Sequence, residues 1–346
     1  MASSWGRAIL GVFFLSVLAL PHAWDSAEAH AADTSPPRGS EPPDPLAMSA
    51  KLEQGWMVRV FDTASLAASL GEPEIGSTYV NDHSLVRGKD GTWHLFGIWH
   101  REPFTPDAEV EFIHAVAREP DPAKWDEGAF EVVARPFTVA LRADESIGET
   151  HIWAPHVVAA EGRYWMTYQG GGADRDKSSI RLAESTDLYR WTRVGQVPLF
   201  EDICEARDPM VVRKDDLWAM YYTRCDSTTT RTSGVAYRLS RNLWQWGEPH
   251  MVLTLDDAPH IPNSGYTESP FVFERNHHHY LSVTSYPLEW DATMLYRSPA
   301  PYAFPSAPFT RLRGHAGEWV SSGDRVFLTH AGPGQRGVLM SEIRGL

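Results

Sequence analysis

The sequence is poor in cysteine, in positive charge and in long apolar runs. It has two cysteines in 346 residues, and 31 lysines and arginines face 45 aspartates and glutamates. The formal net charge of −14 argues against a nucleic-acid partner, which would need a basic surface. Beyond the N-terminus no apolar run approaches the roughly 20 residues that span a membrane. The mature chain is therefore predicted to bind neither nucleic acid nor a membrane.

The N-terminus has the composition of an export signal. Residues 1–32 carry one positive charge, an apolar run at 8–20 and then small residues that offer A-x-A cleavage sites near Ala29 or Ala32. Residues 33–50, "DTSPPRGSEPPDPLAMSA", are typical of a linker. We expect a signal peptide, a linker and a domain over residues 51–346, in a secreted or periplasmic protein. An uncleaved N-terminal anchor is the alternative.

The two cysteines, Cys204 and Cys225, flank one predicted hairpin around a "KDD" turn. Export makes a disulfide permissible, and the open end of a hairpin provides feasible geometry. Such a bridge would add about 3 kcal/mol of stability. Two buried free thiols are the alternative.

Five segments share the pattern of a β-hairpin, in which two apolar or aromatic runs enclose a polar turn. They are "DHSLVRGKDGTWHLFGIW" from Asp82, "APHVVAAEGRYWMTYQGG" from Ala154, "DPMVVRKDDLWAMYYT" from Asp208, "ESPFVFERNHHHYLSVTS" from Glu268 and "GEWVSSGDRVFLTHAG" from Gly317. Their starts lie 72, 54, 60 and 49 residues apart. This regularity indicates an internal repeat.

Connecting segments of a second kind follow four of the hairpins, each with a strand, a polar break and an aromatic residue. They begin at Phe112, Ser178, Ser233 and Ala292. A hairpin plus a connector makes four strands, which predicts an all-β, five-bladed β-propeller with four-stranded antiparallel blades. "RGVLMSEIRGL" would supply the third strand of the last blade, and "GWMVRVFD" near the N-terminus its fourth, closing the ring. A short helix is expected near Ala64. Two packed sandwich sheets are the alternative fold.

Acidic residues stand at three of the five hairpin starts: Asp82, Asp208 and Glu268, against Ala154 and Gly317. Innermost strands line a propeller's central channel, so we expect these positions to converge. Like charges repel one another there, which suggests a chemical use. Glycoside hydrolysis needs one protonated and one ionised carboxyl, and a third can raise the pKa of the acid.

The motifs around these residues resemble those of the five-bladed β-propeller glycosidases, namely glycoside hydrolase family 43 and the related families 32, 62, 68 and 117. "YVNDHSLVR" resembles the first-blade motif, "THIWAPHVV" the second-blade motif of family 43, "EARDPMVV" the RDP motif of family 32, and "YTESPFVF" the fourth-blade motif. The resemblance implies Asp82 as base or nucleophile, Asp208 as transition-state stabiliser or pKa modulator and Glu268 as general acid. His83 departs from family 32, which commonly has proline there.

Five further residues are predicted to bind substrate: Trp153, Trp99, Arg207, His156 and His315. Either tryptophan could form a platform for a sugar ring, and either could instead belong to the core. Arg207 could bind a hydroxyl or hold Asp208 ionised, or lie on the surface. The two histidines could face the channel or be structural. The many aromatic residues, 14 Trp and 12 Tyr, leave core packing and sugar stacking equally open.

The sequence thus predicts an exported glycosidase that acts on an oligo- or polysaccharide. A furanoside such as an α-L-arabinofuranoside or β-fructofuranoside is favoured, with an activity like that of an arabinofuranosidase/xylosidase or a fructosidase. The "WAP" motif and the lack of family 32's C-terminal sandwich favour inversion, with carboxyls about 6.5–9.5 Å apart rather than about 5–5.5 Å. No cofactor or catalytic metal is expected, although a calcium ion on the propeller axis is conceivable by resemblance. A lectin-like propeller and a calcium-dependent propeller hydrolase of lactones or phosphoesters are the alternatives.

Overall fold

The computed structural model describes residues 52–70, 78–101, 108–172, 178–203, 206–225, 233–254, 267–285, 291–331 and 336–346. The predicted signal peptide (1–32), the linker (33–50) and the pairing of Cys204 with Cys225 lie outside the described residues and stay predictions. Among the described residues, none belongs to a helix that is long and apolar enough to span a membrane.

The first half of the chain forms the N-terminal elements and two five-stranded sheets. Before the first blade come β1 (Glu53–Gln54), β2 (Val58–Asp62) and helix α1 (Ala64–Leu70). Blade I consists of β3 (Thr78–Arg87), β4 (Trp93–Arg101), β5 (Glu111–Ala117), β6 (Glu131–Val132) and β7 (Val139–Arg142). Blade II consists of β8 (His151–Ala160), β9 (Arg163–Gly171), β10 (Ser179–Ser185), β11 (Thr192–Arg193) and β12 (Phe200–Glu201). Short 3-10 helices lie at Pro122–Lys124 and Glu145–Ile147.

The second half forms three more sheets. Blade III consists of β13 (Ala206–Lys214), β14 (Leu217–Cys225), β15 (Ser233–Ser240) and β16 (His250–Thr254). Blade IV consists of β17 (Thr267–Arg275), β18 (His278–Ser285), β19 (Ala292–Ser298) and β20 (Thr310–Arg313). Blade V consists of β21 (His315–Ser322), β22 (Arg325–Ala331) and β23 (Gly337–Arg344), with β1 and β2.

The five sheets confirm the predicted propeller of antiparallel four-stranded blades, and α1 confirms the helix expected near Ala64. In blades I, II and V two short strands share the outermost position: β6 and β7, β11 and β12, and β1 and β2. Because β1 and β2 both pair with β23, the N-terminal segment supplies the outer strand of the C-terminal blade, as predicted. This pairing closes the ring and covers an edge that would otherwise be free.

Tight turns explain why the hairpins form where the sequence places them. In blade II, Ala160 pairs with Arg163 across a two-residue loop, and both loop residues, Glu161 and Gly162, have positive φ. Blade IV repeats this geometry at Asn276 and His277. Two consecutive residues with positive φ match the twist of antiparallel strands, and glycine and asparagine adopt that conformation most easily.

Five apolar clusters hold the blades together, one at each interface between neighbours. Blades I and II share Phe96, Ile98 and Tyr168, whereas blades V and I share a cluster that includes Phe61 from β2. The other three clusters join blades II and III, III and IV, and IV and V. Because each blade buries both faces against neighbours, one blade alone would have no core.

Candidate active site

The innermost strand of every blade carries a β-bulge at the same place. In blade I, Val80 pairs with Trp99 and His83 with Gly97, so three steps on β3 oppose two on β4. The other four inner strands have the same shift, at Trp153/His156, Arg207/Met210, Glu268/Phe271 and His315/Glu318. A bulge bends a strand and redirects its side chains. Five matched bulges therefore form one structural level around the propeller axis.

Each bulge spans four positions. One central pocket is lined by the residues at the second to fourth positions of the five blades, except Asn81 and Phe271. The first positions hold Val80, Trp153, Arg207, Glu268 and His315, and the second hold Asn81, Ala154, Asp208, Ser269 and Ala316. The third positions hold Asp82, Pro155, Pro209, Pro270 and Gly317. In blades II to V the second residue has positive φ, between 46° and 56°.

This register corrects one expectation. Asp82, Asp208 and Glu268 do not occupy a single matched position: Glu268 lies at the first, Asp208 at the second and Asp82 at the third position of their bulges. Hairpin patterns locate a strand but do not show the extra residue of a bulge, and one residue of offset changes the face of a strand. The three carboxyls still lie close together, because Ser269, the residue after Glu268, contacts both Asp208 and Asp82.

Asp208 is held by groups from two blades. It is buried, with 6% of its surface exposed. The backbone N–H of Ser269 in blade IV donates to Asp208 Oδ2 at 2.9 Å, and Arg207 Nη1 lies 3.8 Å from the same oxygen. The hydroxyl of Thr223 lies 3.5 Å away. These contacts stabilise the charged carboxylate and fix its orientation.

Glu268 forms an ion pair across the interface of blades III and IV. Arg207 Nη1 donates to Glu268 Oε1 at 2.6 Å, while Nη2 of the same guanidinium donates to the carbonyl of Thr267 at 3.3 Å. On the other side His315 Nε2 lies 3.9 Å from Glu268 Oε2. The structure thus brings the predicted residues Arg207 and His315 into direct contact with the predicted acid.

Asp82 completes the group from blade I. Its Oδ1 accepts a hydrogen bond from the hydroxyl of Ser269, and part of its surface stays open to the pocket. The pKa of Asp82 is raised well above its ordinary value, first by burial and then by the nearby charges of Asp208 and Glu268. The Ser269 hydrogen bond and Arg207 oppose this rise.

The group of three carboxyls and one guanidinium is therefore short of positive charge. Three ionised carboxylates and Arg207 would sum to −2, so the site favours retention of a proton. Because the three carboxyls interact, they titrate together, and the retained proton is shared among them rather than belonging to one carboxyl alone. An arrangement that contains a protonated and an ionised carboxyl side by side can perform general acid–base chemistry.

The other predicted binding residues differ in their positions. Trp153 lies at the first bulge position of blade II, partly exposed, with its ring 4.0 Å from the ring of His151. Trp99 instead packs in the cluster between blades V and I, and its indole N–H donates to Glu111 Oε2 at 3.1 Å. It lines a separate cavity with Arg142, which shares no lining residue with the pocket of Asp82 and Asp208.

His156 lies one step further along the channel, at the fourth bulge position. Its Nε2 donates to the carbonyl of Val211 at 3.1 Å, and its Nδ1 is 3.5 Å from Glu318 Oε1. Burial raises the pKa of Glu318, although His156 opposes the shift. Glu318 and Ser269 were not predicted as site residues. Their signals are visible in the sequence, in "GEWV" of the fifth hairpin and in "ESP" beside the predicted acid.

The resemblance suggested a calcium ion on the propeller axis, and the side chains around the channel show whether they could coordinate one. Within the described ranges, no group of three or more His, Cys, Asp or Glu is arranged to hold a metal ion. His156 uses Nε2 on a carbonyl, and His83 Nε2 lies 2.9 Å from the hydroxyl of Thr329. Burial lowers the pKa of His83 to about 3. These side chains do not fit a direct calcium shell, which takes six to eight oxygen ligands.

The family model of the glycosyl hydrolases family 43 matches residues 125–329, more than half of the chain. The chain belongs to this family. As a family 43 member it is a glycoside hydrolase with a propeller fold. The matched residues contain Asp208 and Glu268 and begin after Asp82, so the position of the blade I carboxylate in the site rests on the geometry above. A comparison with curated protein sequences finds no significant match.

Solved structures of glycosidases share the fold. A thermostable family-43 glycoside hydrolase is 17% identical with a TM-score of 0.56, covering 78% of this chain and 90% of its own. The Bombyx mori GH32 β-fructofuranosidase is 16% identical with a TM-score of 0.59, covering 84% and 62%. The Cellvibrio cellulosa α-L-arabinanase, complexed with arabinohexaose, is 14% identical with a TM-score of 0.55, covering 77% and 91%. At these identities the likeness concerns the fold.

Proposed function

We propose that this family 43 member hydrolyses a furanoside, namely an α-L-arabinofuranoside or a β-fructofuranoside, in an oligo- or polysaccharide. The observation that carries the proposal is the close grouping of Asp82, Asp208 and Glu268. Ser269, which follows Glu268, hydrogen-bonds to both aspartates, and Arg207 lies between Asp208 and Glu268. Two structures of similar fold are named as a β-fructofuranosidase and an α-L-arabinanase, the second complexed with arabinohexaose. The partly exposed ring of Trp153 would stack on the sugar.

Each carboxyl has a separate role in this proposal. Asp82 is the base, the role implied by the resemblance of its first-blade motif, and its carboxyl is partly open to the pocket. Glu268 is the general acid, and Asp208, buried and ionised, stabilises the positive transition state. In the free enzyme Arg207 occupies Oε1 of Glu268. Substrate would have to draw this guanidinium towards a sugar hydroxyl before Glu268 could act as the acid.

We also propose that the reaction inverts the anomeric configuration and that the chain is exported. For inversion, Asp82 activates a water molecule, and the first product has the opposite anomeric form to the substrate. Proton NMR of the fresh product separates the two outcomes. For export, the mass of the secreted protein should correspond to a chain that begins at residue 30 or 33, after cleavage at Ala29 or near Ala32. An intact N-terminus in a membrane fraction would contradict the signal peptide.

A panel of aryl furanosides and pyranosides, with arabinan and fructan, tests the main proposal. Wild type is compared with Glu268→Gln and with Glu274→Gln, a matched change at an exposed position on the same strand β17. We expect turnover of one furanoside, a loss of about 10²–10⁴-fold in Glu268→Gln and little change in Glu274→Gln. Binding without turnover on the whole panel would favour the lectin-like alternative. Equal activity of both variants would refute the assignment of Glu268.

A further inference from the structure

Ser269 is the residue at which the three carboxyls of the site meet. It follows Glu268 in the chain, its backbone N–H donates to Asp208 Oδ2 at 2.9 Å, and its hydroxyl donates to Asp82 Oδ1. One residue of blade IV thereby links the carboxylates of blades I and III. Its surface is partly exposed in the pocket.

The backbone of Ser269 has a left-handed conformation, with φ of 50°. The residues at the same bulge position in blades II and V are Ala154 and Ala316, which share this conformation and have no polar side-chain atom. Glycine adopts positive φ without strain, whereas a residue with a Cβ does not. The left-handed conformation therefore belongs to the bulge and needs no polar side chain, and the hydroxyl of Ser269 supplies an interaction that glycine or alanine would lack.

The hydrogen bond also distinguishes the two oxygens of Asp82. Oδ1 accepts from Ser269, whereas no hydrogen bond from the described part of the chain reaches Oδ2. A hydroxyl that donates to a carboxylate favours its ionised form. The oxygen left without a donor is then the one that can take a proton from water.

We propose that Ser269 is a positioning residue for hydrolysis, which fixes Asp82 through Oδ1, favours its ionised form and directs Oδ2 towards the attacking water. This inference rests on the proposed function, in which Asp82 is the base. Ser269 itself forms no covalent bond with substrate, and its hydroxyl keeps its proton throughout. The proton from water moves to Asp82 Oδ2 while the anomeric carbon gains the water oxygen and loses the leaving group, whose oxygen keeps the bonding electrons and takes a proton from Glu268.

The pH dependence of kcat/KM for Ser269→Ala and Ser269→Gly tests this role. Both variants lack the hydroxyl but keep the backbone N–H that binds Asp208. We expect the acidic limb of the profile to move up by about one pH unit in both, with the loss in kcat rather than in KM. His277→Gly relieves positive φ at an exposed turn of the same blade and should leave the profile unchanged.

The outcomes separate this inference from the proposed function. A wild-type profile in either Ser269→Gly or Ser269→Ala would show that the hydroxyl is dispensable and would overturn the inference. If wild type hydrolyses no glycoside, the proposed function fails. Carbon-13 NMR titration of aspartate carboxyls, with Asp82 assigned by Asp82→Asn, still tests the hydrogen bond. We expect Asp82 to titrate at higher pH without the hydroxyl, and an unchanged titration would overturn the inference.

Discussion

Arg207 and Glu268 lie in neighbouring blades, and the guanidinium donates to the carboxylate at 2.6 Å. The same nitrogen lies 3.8 Å from Asp208, and Arg207 also lowers the pKa of Asp82. Arg207 therefore balances part of the negative charge of the three carboxyls. Its removal should change the protonation of the site as a whole.

Arg207→Met should move the acidic limb of the pH profile of kcat/KM to higher pH. Arg207 opposes the rise in the pKa of Asp82, so without it this base would need a higher pH to ionise. We expect a loss in kcat of about 10²-fold or more. Arg213→Met, an exposed arginine on the same strand β13, is the control. An acidic limb at the wild-type pH in Arg207→Met would contradict the claim that Arg207 lowers the pKa of Asp82.

Asp208→Asn should move the same limb in the opposite direction. The negative charge of Asp208 is the second largest cause of the raised pKa of Asp82, after burial. Its removal lowers the pKa of Asp82, so the base stays ionised at lower pH, while kcat falls because the transition state loses a stabilising charge. The measurement is kcat/KM between about pH 3 and pH 8. A shift to higher pH would show that Asp208 does not act on Asp82.

Stability should fall as the pH falls below about 6.5, because three buried histidines resist protonation. Burial lowers the pKa of His83 to about 3, of His94 to about 4 and of His114 to about 3. Each of these histidines lowers the free energy of unfolding by up to about 1.4 kcal/mol per pH unit. The loss begins as the pH falls below about 6.5, the pKa in the unfolded chain, and ends at the pKa in the folded chain. Urea unfolding at pH 7 and pH 4.5 measures the fall.

His83→Gln should reduce this pH sensitivity, because the variant removes one of the three groups. His277→Gln, at an exposed turn, should leave it unchanged. The comparison uses the difference in unfolding free energy between the two pH values, so a constant loss of packing in His83→Gln cancels. An equal fall in wild type and in His83→Gln would mean that His83 contributes nothing to acid sensitivity.

Glu149→Gln should destabilise the fold strongly. Glu149 is fully buried and contacts Arg181 and Arg193, while the hydroxyl of Tyr168 donates to it at 2.8 Å. Removing its charge leaves two arginines without their buried partner, at a cost of about 3–5 kcal/mol. The exposed pair of Glu184 with Arg163 offers a matched control, since Glu184→Gln should cost about 0–1 kcal/mol. Equal midpoints of urea unfolding would contradict this contrast.

The repeat was predictable from the sequence because each blade depends on its neighbours for a core. Buried residues such as Phe96, Tyr222 and Leu328 recur on the second strands of the hairpins and fill the interfaces between blades. The closing role of the N-terminus followed from the same argument, since the fifth blade lacked one strand. These features depend on alternation and turns, which the sequence displays directly.

The bulge and its consequences could not be predicted in this way. The extra residue in each inner strand leaves the hairpin pattern intact, yet it places Asp82, Asp208 and Glu268 at three different positions. Trp99 shows a related difficulty, because an aromatic residue at a strand end suits a platform and a core equally well. Its burial beside Glu111 depends on the packing of blades V and I, which no local pattern specifies.

The most direct test of the proposed roles is a series of aryl glycosides of the sugar that wild type prefers, with phenols of different acidity as leaving groups. Glu268→Gln should retain much of kcat/KM on the most acidic phenols, which leave without a proton, and progressively lose activity on the least acidic. Asp82→Asn should lose activity on all of them alike. The reverse pattern, graded loss in Asp82→Asn and uniform loss in Glu268→Gln, would contradict the account and exchange the roles of the two carboxyls.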